Sequence, residues 1–243
     1  MSKRLQGAVA LVTGASSGVG RATALELAEE GVSVVVTARR QERLDTVTRQ
    51  IEQSGGKALS VAGDARDEET AHRAVNAAVT EFGTLDILIN NAGAGNYKNL
   101  VDTSPADYDE LMDSNMRSTF LFSRYAAPIM IKKGSGTIIM VSSIAGIYGF
   151  AGEAVYSATK FAQVGFAQAL DKELQPHGIK VGVICPGGIK TEFAIGKGRT
   201  PEEVANSGMM EPDDVAQMIV VACTQSPQSR ILSVTMIPME ENL

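Results

Sequence analysis

The chain has 243 residues, 44% of them hydrophobic and 21% charged, with 24 glycines spread along its length and a formal net charge of −6. This ordinary globular composition can bury a substantial core without cross-links, and the acidic balance argues against a nucleic-acid partner, since phosphate binding needs clustered Lys and Arg and the densest basic site is only Arg39-Arg40. Cys185 and Cys223 show no disulfide or metal-ligand spacing, no apolar run approaches the ~18 residues that span a bilayer, and the N-terminal stretch lacks a signal-peptide core, so a soluble cytoplasmic protein is expected.

Ala8 to Val12 read as a buried strand that runs into Gly14-Ala15-Ser16-Ser17-Gly18-Val19-Gly20, and a helical pattern follows from Arg21 to Glu30. Val32 to Thr37 form a second strand, Gln41 to Ser54 an amphipathic helix closed by Gly55-Gly56, and Ala58 to Ala62 a third strand. Next come a helix over Glu68 to Phe82, a strand over Asp86 to Asn90, one long helix opened by Ser104-Pro105, and a strand over Thr137 to Val141. A helix through Tyr156 precedes the strand Lys180 to Ile184, and an irregular segment carries a capping box at Thr200-Pro201-Glu202-Glu203. A helix after Pro212 and a last strand over Ile231 to Ile237 complete the series. Seven nearly continuous apolar strands alternating with helices imply a parallel sheet covered on both faces. The expected fold class is α/β: one doubly wound (Rossmann) domain over residues 1–243, with a short substrate-loop segment at about 190–211.

In such a sheet the first glycine loop lies beyond the strand ends, with a helix N-terminus directed at whatever binds there, and a diphosphate is the expected guest. Gly14 permits the tight turn, Gly18 a close backbone approach, and Gly20 helix-to-sheet packing, with Ser16, Ser17 and Val19 completing the loop. The second strand ends Thr37-Ala38-Arg39-Arg40, with no acid to meet an adenosine 2′-hydroxyl and with guanidinium groups suited to a 2′-phosphate; NADP(H) is preferred, with NAD(H) possible. The alternative is that these arginines are merely solvated ahead of the next helix. Asp64 ends the third strand, where it could accept from an adenine amino group or cap the turn before Asp67, and Ala65 follows it.

Asn90-Asn91-Ala92-Gly93 close the fourth strand, Asn115 lies on the long helix, and Ser142-Ser143 close the fifth strand ahead of Tyr156-Ser157-Ala158-Thr159-Lys160. On a helix, Tyr156 and Lys160 share a face, where an ammonium can favour the phenolate of a catalytic acid. Taken in order, Thr13-Gly14-Ala15-Ser16-Ser17-Gly18-Val19-Gly20, Asn90-Asn91-Ala92-Gly93, Ser143, Tyr156-x-x-x-Lys160 and Cys185-Pro186-Gly187 resemble the compact branch of the short-chain dehydrogenase/reductase family over essentially the whole chain. The resemblance implies a catalytic set of Asn115, Ser143, Tyr156 and Lys160. Tyr156 would pass a proton to the substrate oxygen, Ser143 would steady that oxygen, Lys160 would lower the Tyr156 pKa and hold the nicotinamide ribose, and Asn115 would anchor a water near Lys160. It further implies that Asn91, Ala92, Gly93, Pro186, Gly187, Ile189 and Thr191 line the cofactor, and that a small-molecule carbonyl or alcohol is the substrate. A homo-oligomer, tetramer or dimer, is the expected assembly.

Tyr97, Ile144, Phe150 and Phe193 are candidates for the substrate pocket, and Met209-Met210 could line its mouth or fill the core. His72 and His177 stand alone without a second metal ligand. Met116-Arg117-Ser118 after Asn115 depart from the family pattern, as does a last strand without an Asp-Gly-Gly ending; the latter weakens, without removing, the alternative of a 3-oxoacyl-acyl-carrier-protein reductase. A nucleotide sensor without turnover is a third reading, disfavoured because all four members of the catalytic set are present.

Overall fold

A computed structural model describes residues 4–241; the ends of the expected 1–243 span, Met1–Lys3 and Asn242–Leu243, lie outside the described residues. Strands β1 (Val9–Thr13), β2 (Ser33–Ala38), β3 (Lys57–Ala62), β4 (Ile87–Asn90), β5 (Gly136–Val141), β6 (Ile179–Pro186) and β7 (Ser233–Met236) form one sheet in the order β3-β2-β1-β4-β5-β6-β7. Every neighbouring pair is parallel, with Leu11 of β1 opposite both Val35 of β2 and Leu88 of β4. The strand order reverses between β1 and β4, the point at which doubly wound sheets open a crevice beyond their carboxyl ends.

Successive strand residues face opposite sides of the sheet, so a run such as Val9-Ala10-Leu11-Val12 feeds two cores at once. Ala10, Val12, Val34 and Val36 pack under α1 (Gly18–Glu29), α2 (Gln41–Gln53) and α8 (Pro212–Cys223) through Leu27, Leu44 and Ile219. Val9, Leu11, Val35 and Leu88 pack under α3 (Glu68–Phe82), α5 (Ser118–Lys133) and α6 (Ala154–Leu174) through Ala74, Phe122 and Ala167. Burial on both faces is why the strands read as nearly continuous apolar runs.

The helix that opens at Ser104 is not one uniform element. A capping box between Ser104 and Asp107 starts α4 (Pro105–Met112), a π turn over Asp113–Arg117 widens the backbone, and α5 continues from it. π turns of this kind concentrate at functional sites because they break the regular carbonyl ladder, and Asn115 lies inside this one. A short α7 (Pro201–Ala205) starts at the expected capping box between Thr200 and Glu203, and the last strand is shorter than expected, Ser233–Met236 instead of Ile231 to Ile237. Among the described residues no helix is long and apolar enough to cross a membrane.

Candidate active site

A cavity of about 880 Å³ opens at the carboxyl ends of the strands, near the upper end of the ~300–1,000 Å³ typical of ligand sites. Every expected cofactor-facing residue except Gly20 lines it, as do Ser143, Tyr156 and Lys160. Gly20 and Asn115 support its walls from behind. A Cβ on Gly20 would collide with the Asn91 amide and the Gly14 carbonyl, and one on Gly93 would come within 2.7 Å of Asn115 Oδ1. Gly14 and Gly18 have φ of 66° and 52°, left-handed values that favour glycine. The Thr13 hydroxyl accepts the backbone N–H groups of Asn91 and Ala92, both at 2.9 Å, and so fixes the β4 end against the glycine loop. A loop this tight at the start of α1 fits the diphosphate of a dinucleotide.

At the adenosine end both arginines line the cavity, but differently. Arg40 donates to the hydroxyls of Ser16 and Ser17, each at 3.1 Å, and to Glu192 at 3.2 Å, while Arg43 holds the same carboxylate at 2.8 Å. Among the described residues Arg39 has no carboxylate within 4.0 Å. Arg40 is thus already committed to a carboxylate and Arg39 is left as the candidate for an anion here, a distinction that sequence spacing alone does not draw. Asp64 is held by Arg66 through both carboxylate oxygens, which keeps its pKa below the ordinary carboxylate range.

At the other end Tyr156 is 5% exposed, its ring edge-on to Tyr97 at 5.6 Å between centroids and tilted against Phe193 at 5.9 Å. Lys160, 4% exposed, donates to the Val141 carbonyl at 3.1 Å and to Gln163 Oε1 at 3.0 Å, with its ammonium 5.8 Å from the Tyr156 ring centroid. Burial pushes the Tyr156 phenol well above its ordinary pKa, with the Tyr97 ring adding to the rise and the Ser143 hydroxyl pulling against it. Burial also lowers the Lys160 ammonium to about 8. Burial thus acts on the phenol in the direction opposite to the lowering expected from the Lys160 ammonium.

Asn115 is fully buried, and its side chain clamps the loop after β4: Ala94 N–H donates to Oδ1 at 2.7 Å, while Nδ2 donates to the Ala94 carbonyl at 3.0 Å and to Thr159 Oγ1 at 2.9 Å. Its backbone carbonyl, within the π turn, accepts from Gln163 Nε2 at 2.9 Å and from Thr119 Oγ1 at 2.7 Å. Gln163 therefore spans from Lys160 to Asn115. Gln163 lies one helical turn beyond Lys160, on the same face, and a polar residue in a buried helix is the signal of it that the sequence carries. Gln163→Leu should cost about 2–4 kcal/mol in chemical denaturation, because it leaves the Lys160 ammonium short of an acceptor in the interior. Gln163→Glu should restore part of that loss.

The pocket candidates Tyr97, Ile144, Phe150 and Phe193 all line the cavity. The two methionines divide their options: Met209 lines it, and Met210 packs against the core beneath α1 and α8. Cys185 is fully buried in β6, where burial raises its thiol pKa. His72 and His177 are exposed.

Comparison with known proteins places this geometry. The sequence signature described as short chain dehydrogenase matches residues 8–202. The chain belongs to the short chain dehydrogenase family. It is accordingly an oxidoreductase acting between CH–OH and carbonyl groups with a nicotinamide dinucleotide. A 3-oxoacyl-acyl-carrier-protein reductase of Thermotoga maritima is 34% identical over 225 residues, 89% of this chain and 90% of that protein. Among solved structures, a metagenomic short-chain oxidoreductase in complex with NADP is 34% identical, with a TM-score of 0.84 over 98% of this chain and 100% of the other. A short chain dehydrogenase from Burkholderia cenocepacia in complex with NADP is 32% identical, with a TM-score of 0.87 over 97% and 98%.

Proposed function

We propose that this short chain dehydrogenase is an NADP(H)-dependent oxidoreductase interconverting a carbonyl and a secondary alcohol on a small or medium, partly apolar substrate. The observation that carries the reading is the buried Tyr156, set between Ser143 and Lys160 and walled by Tyr97 and Phe193, in the same cavity as the glycine loop. The dinucleotide would supply or accept the hydride; Gly14, Gly18 and the start of α1 would hold its diphosphate, and Lys160 its nicotinamide ribose. In reduction, Tyr156 Oη gives its proton to the substrate oxygen, and Ser143 Oγ donates a hydrogen bond to the same oxygen as negative charge develops on it. In oxidation the same groups act in reverse, with Tyr156 as base.

Arg39, with no carboxylate partner among the described residues, supports NADP(H) over NAD(H), as do the NADP complexes of the two similar structures. Arg39→Ala should weaken NADPH binding by about 10- to 100-fold, the loss expected for a charge-assisted contact to a 2′-phosphate, with NADH binding changed by less than about threefold. Fluorescence titration of both cofactors reads the difference; equal losses would remove Arg39 from the 2′-phosphate. The whole reading is tested by NADPH oxidation across a panel of ketones, diketones and acyl thioesters. A rate that never exceeds that of Tyr156→Phe would sink it.

A second reading, reduction of 3-oxoacyl thioesters, is supported by the Thermotoga maritima relative; acyl thioesters outpacing every free ketone and acid in that panel would favour it. Homo-oligomerisation through helix faces is supported by the exposed Phe120 of α5 and Phe161 of α6, and sedimentation velocity distinguishes an oligomer from a monomer.

A further inference from the structure

The walls of the cavity carry six basic side chains, and most have a partner. Arg66 is paired with Asp64, Lys197 with Glu110 at 2.9 Å, and Arg40 with Glu192. Lys160 is buried against Tyr156 and held by two oxygens. Arg39 and Arg199 remain, with no carboxylate within 4.0 Å among the described residues, and they stand at opposite ends. Arg39 follows β2 at the adenosine end. The Arg199 guanidinium lies over the Tyr97 ring, 5.5 Å from its centroid, and Tyr97 in turn stands edge-on to Tyr156.

The position of Arg199 is built. The segment from Ala194 to Arg199 folds back on itself, with Arg199 N–H donating to the Ala194 carbonyl at 3.1 Å and with Ala194, Gly196 and Gly198 at φ of 61°, 75° and 113°. Tyr97 N–H donates to the Lys197 carbonyl at 2.9 Å, which joins this turn to the loop after β4. A non-glycine residue at positive φ carries a strain that the surrounding contacts must hold in place. What they hold is a planar, permanently charged fork, stacked on an aromatic face and open to the cavity beside the reacting hydroxyl.

We propose that Arg199 is a substrate-anchoring residue that receives a carboxylate, and that the substrate is therefore a short-chain oxo or hydroxy acid. The inference rests on the oxidoreductase reading above and narrows its substrate class. An anion on Arg199 sets the carbonyl of a short acid against Tyr156 and Ser143, with Phe193 and Phe150 covering the carbon chain. The Glu153 side chain lines the same cavity from the start of α6, half-buried, without a hydrogen bond among the described residues and within the field of the Arg199 charge, so a substrate carboxylate is repelled from Glu153 and drawn towards Arg199. A neutral acyl thioester would leave the guanidinium unpaired.

The test compares 3-oxobutanoate with its methyl ester as substrates for NADPH oxidation by the wild type, Arg199→Met and Arg199→Lys. The wild type should favour the acid by about 10- to 100-fold in kcat/KM; Arg199→Met should lose that factor for the acid, with the ester changed less than about threefold, and Arg199→Lys should keep part of it. NADPH binding, measured separately, should be unchanged in both variants. Equal use of acid and ester by the wild type, or equal losses for both in Arg199→Met, overturns the carboxylate site while leaving the oxidoreductase reading standing. If Arg199→Met does not fold, the wild-type preference and its partial retention in Arg199→Lys decide. Tyr156-dependent turnover of neutral ketones without any acid also overturns it. Absence of Tyr156-dependent oxidation with every carbonyl compound brings down the underlying reading and the site with it.

Discussion

Tyr156→Phe should lower kcat for carbonyl reduction by about 10³-fold, within the range by which a positioned general acid accelerates proton transfer, while NADPH affinity changes by less than about threefold. The two effects separate because the ring and the hydroxyl do different jobs. The ring fills space between Tyr97 and Phe193, and phenylalanine fills it equally well. The hydroxyl alone carries the proton, and burial holds that proton in place by raising the phenol's pKa. Stopped-flow measurement of NADPH oxidation with a ketone or oxo acid reads the chemical step, and fluorescence titration reads cofactor binding. A variant that keeps more than about a tenth of the wild-type rate would mean that another group delivers the proton. Ser143, the other hydroxyl against the substrate position, would then be the one to replace next.

The parts of this protein that local chemistry dictates were legible in its sequence, and the parts made by distant contacts were not. Strands such as Val9–Thr13 declare themselves because both faces are buried, and the glycine loop because its turn needs residues without a Cβ. The approach of Tyr156, Ser143 and Lys160 is a consequence of the doubly wound topology, which brings the ends of β4, β5 and β6 to one edge. The π turn at Asp113–Arg117 left no comparable trace: Met116-Arg117-Ser118 departs from the family pattern, yet nothing in it specifies a wider turn. The role of Gln163 is not legible in sequence because it lies in three partners, two of them 44 and 48 positions away. Arg40 and Glu192 are separated by 152 positions and meet only once the loop after β6 has folded over α2. The direction of the Tyr156 pKa also depended on burial, which the i, i+4 spacing of Tyr156 and Lys160 does not reveal.

Lys160 gives the other large effect, and its sign follows from the burial of a base. Its ammonium has an ordinary pKa of 10.5 and is lowered to about 8 in the fold, with desolvation the main cause. Between those values the unfolded chain binds more protons at this position than the folded one, so stability rises with pH across the window. Below about pH 8 the fold carries the full cost of a buried ammonium, about 3 kcal/mol, and above about pH 10.5 that cost is gone. Lys160→Met removes the group and its pH dependence together. Measured by denaturant unfolding, the stability of Lys160→Met relative to the wild type should therefore fall by about 3 kcal/mol between pH 7 and pH 10.5. A difference that stays flat would mean that Lys160 titrates in the fold as it does in water. The same proton matters to the chemistry, because only the charged form can stabilise negative charge developing on Tyr156. In wild-type protein, kcat/KM for reduction should decline as pH rises through about 8. Gln163→Glu, which sets a carboxylate against the ammonium, should move that decline to higher pH, whereas Gln163→Leu should move it lower. Opposite displacements by two substitutions at one position would tie the pH profile to Lys160, since a merely structural loss at Gln163 would lower the rate without shifting the profile in either direction.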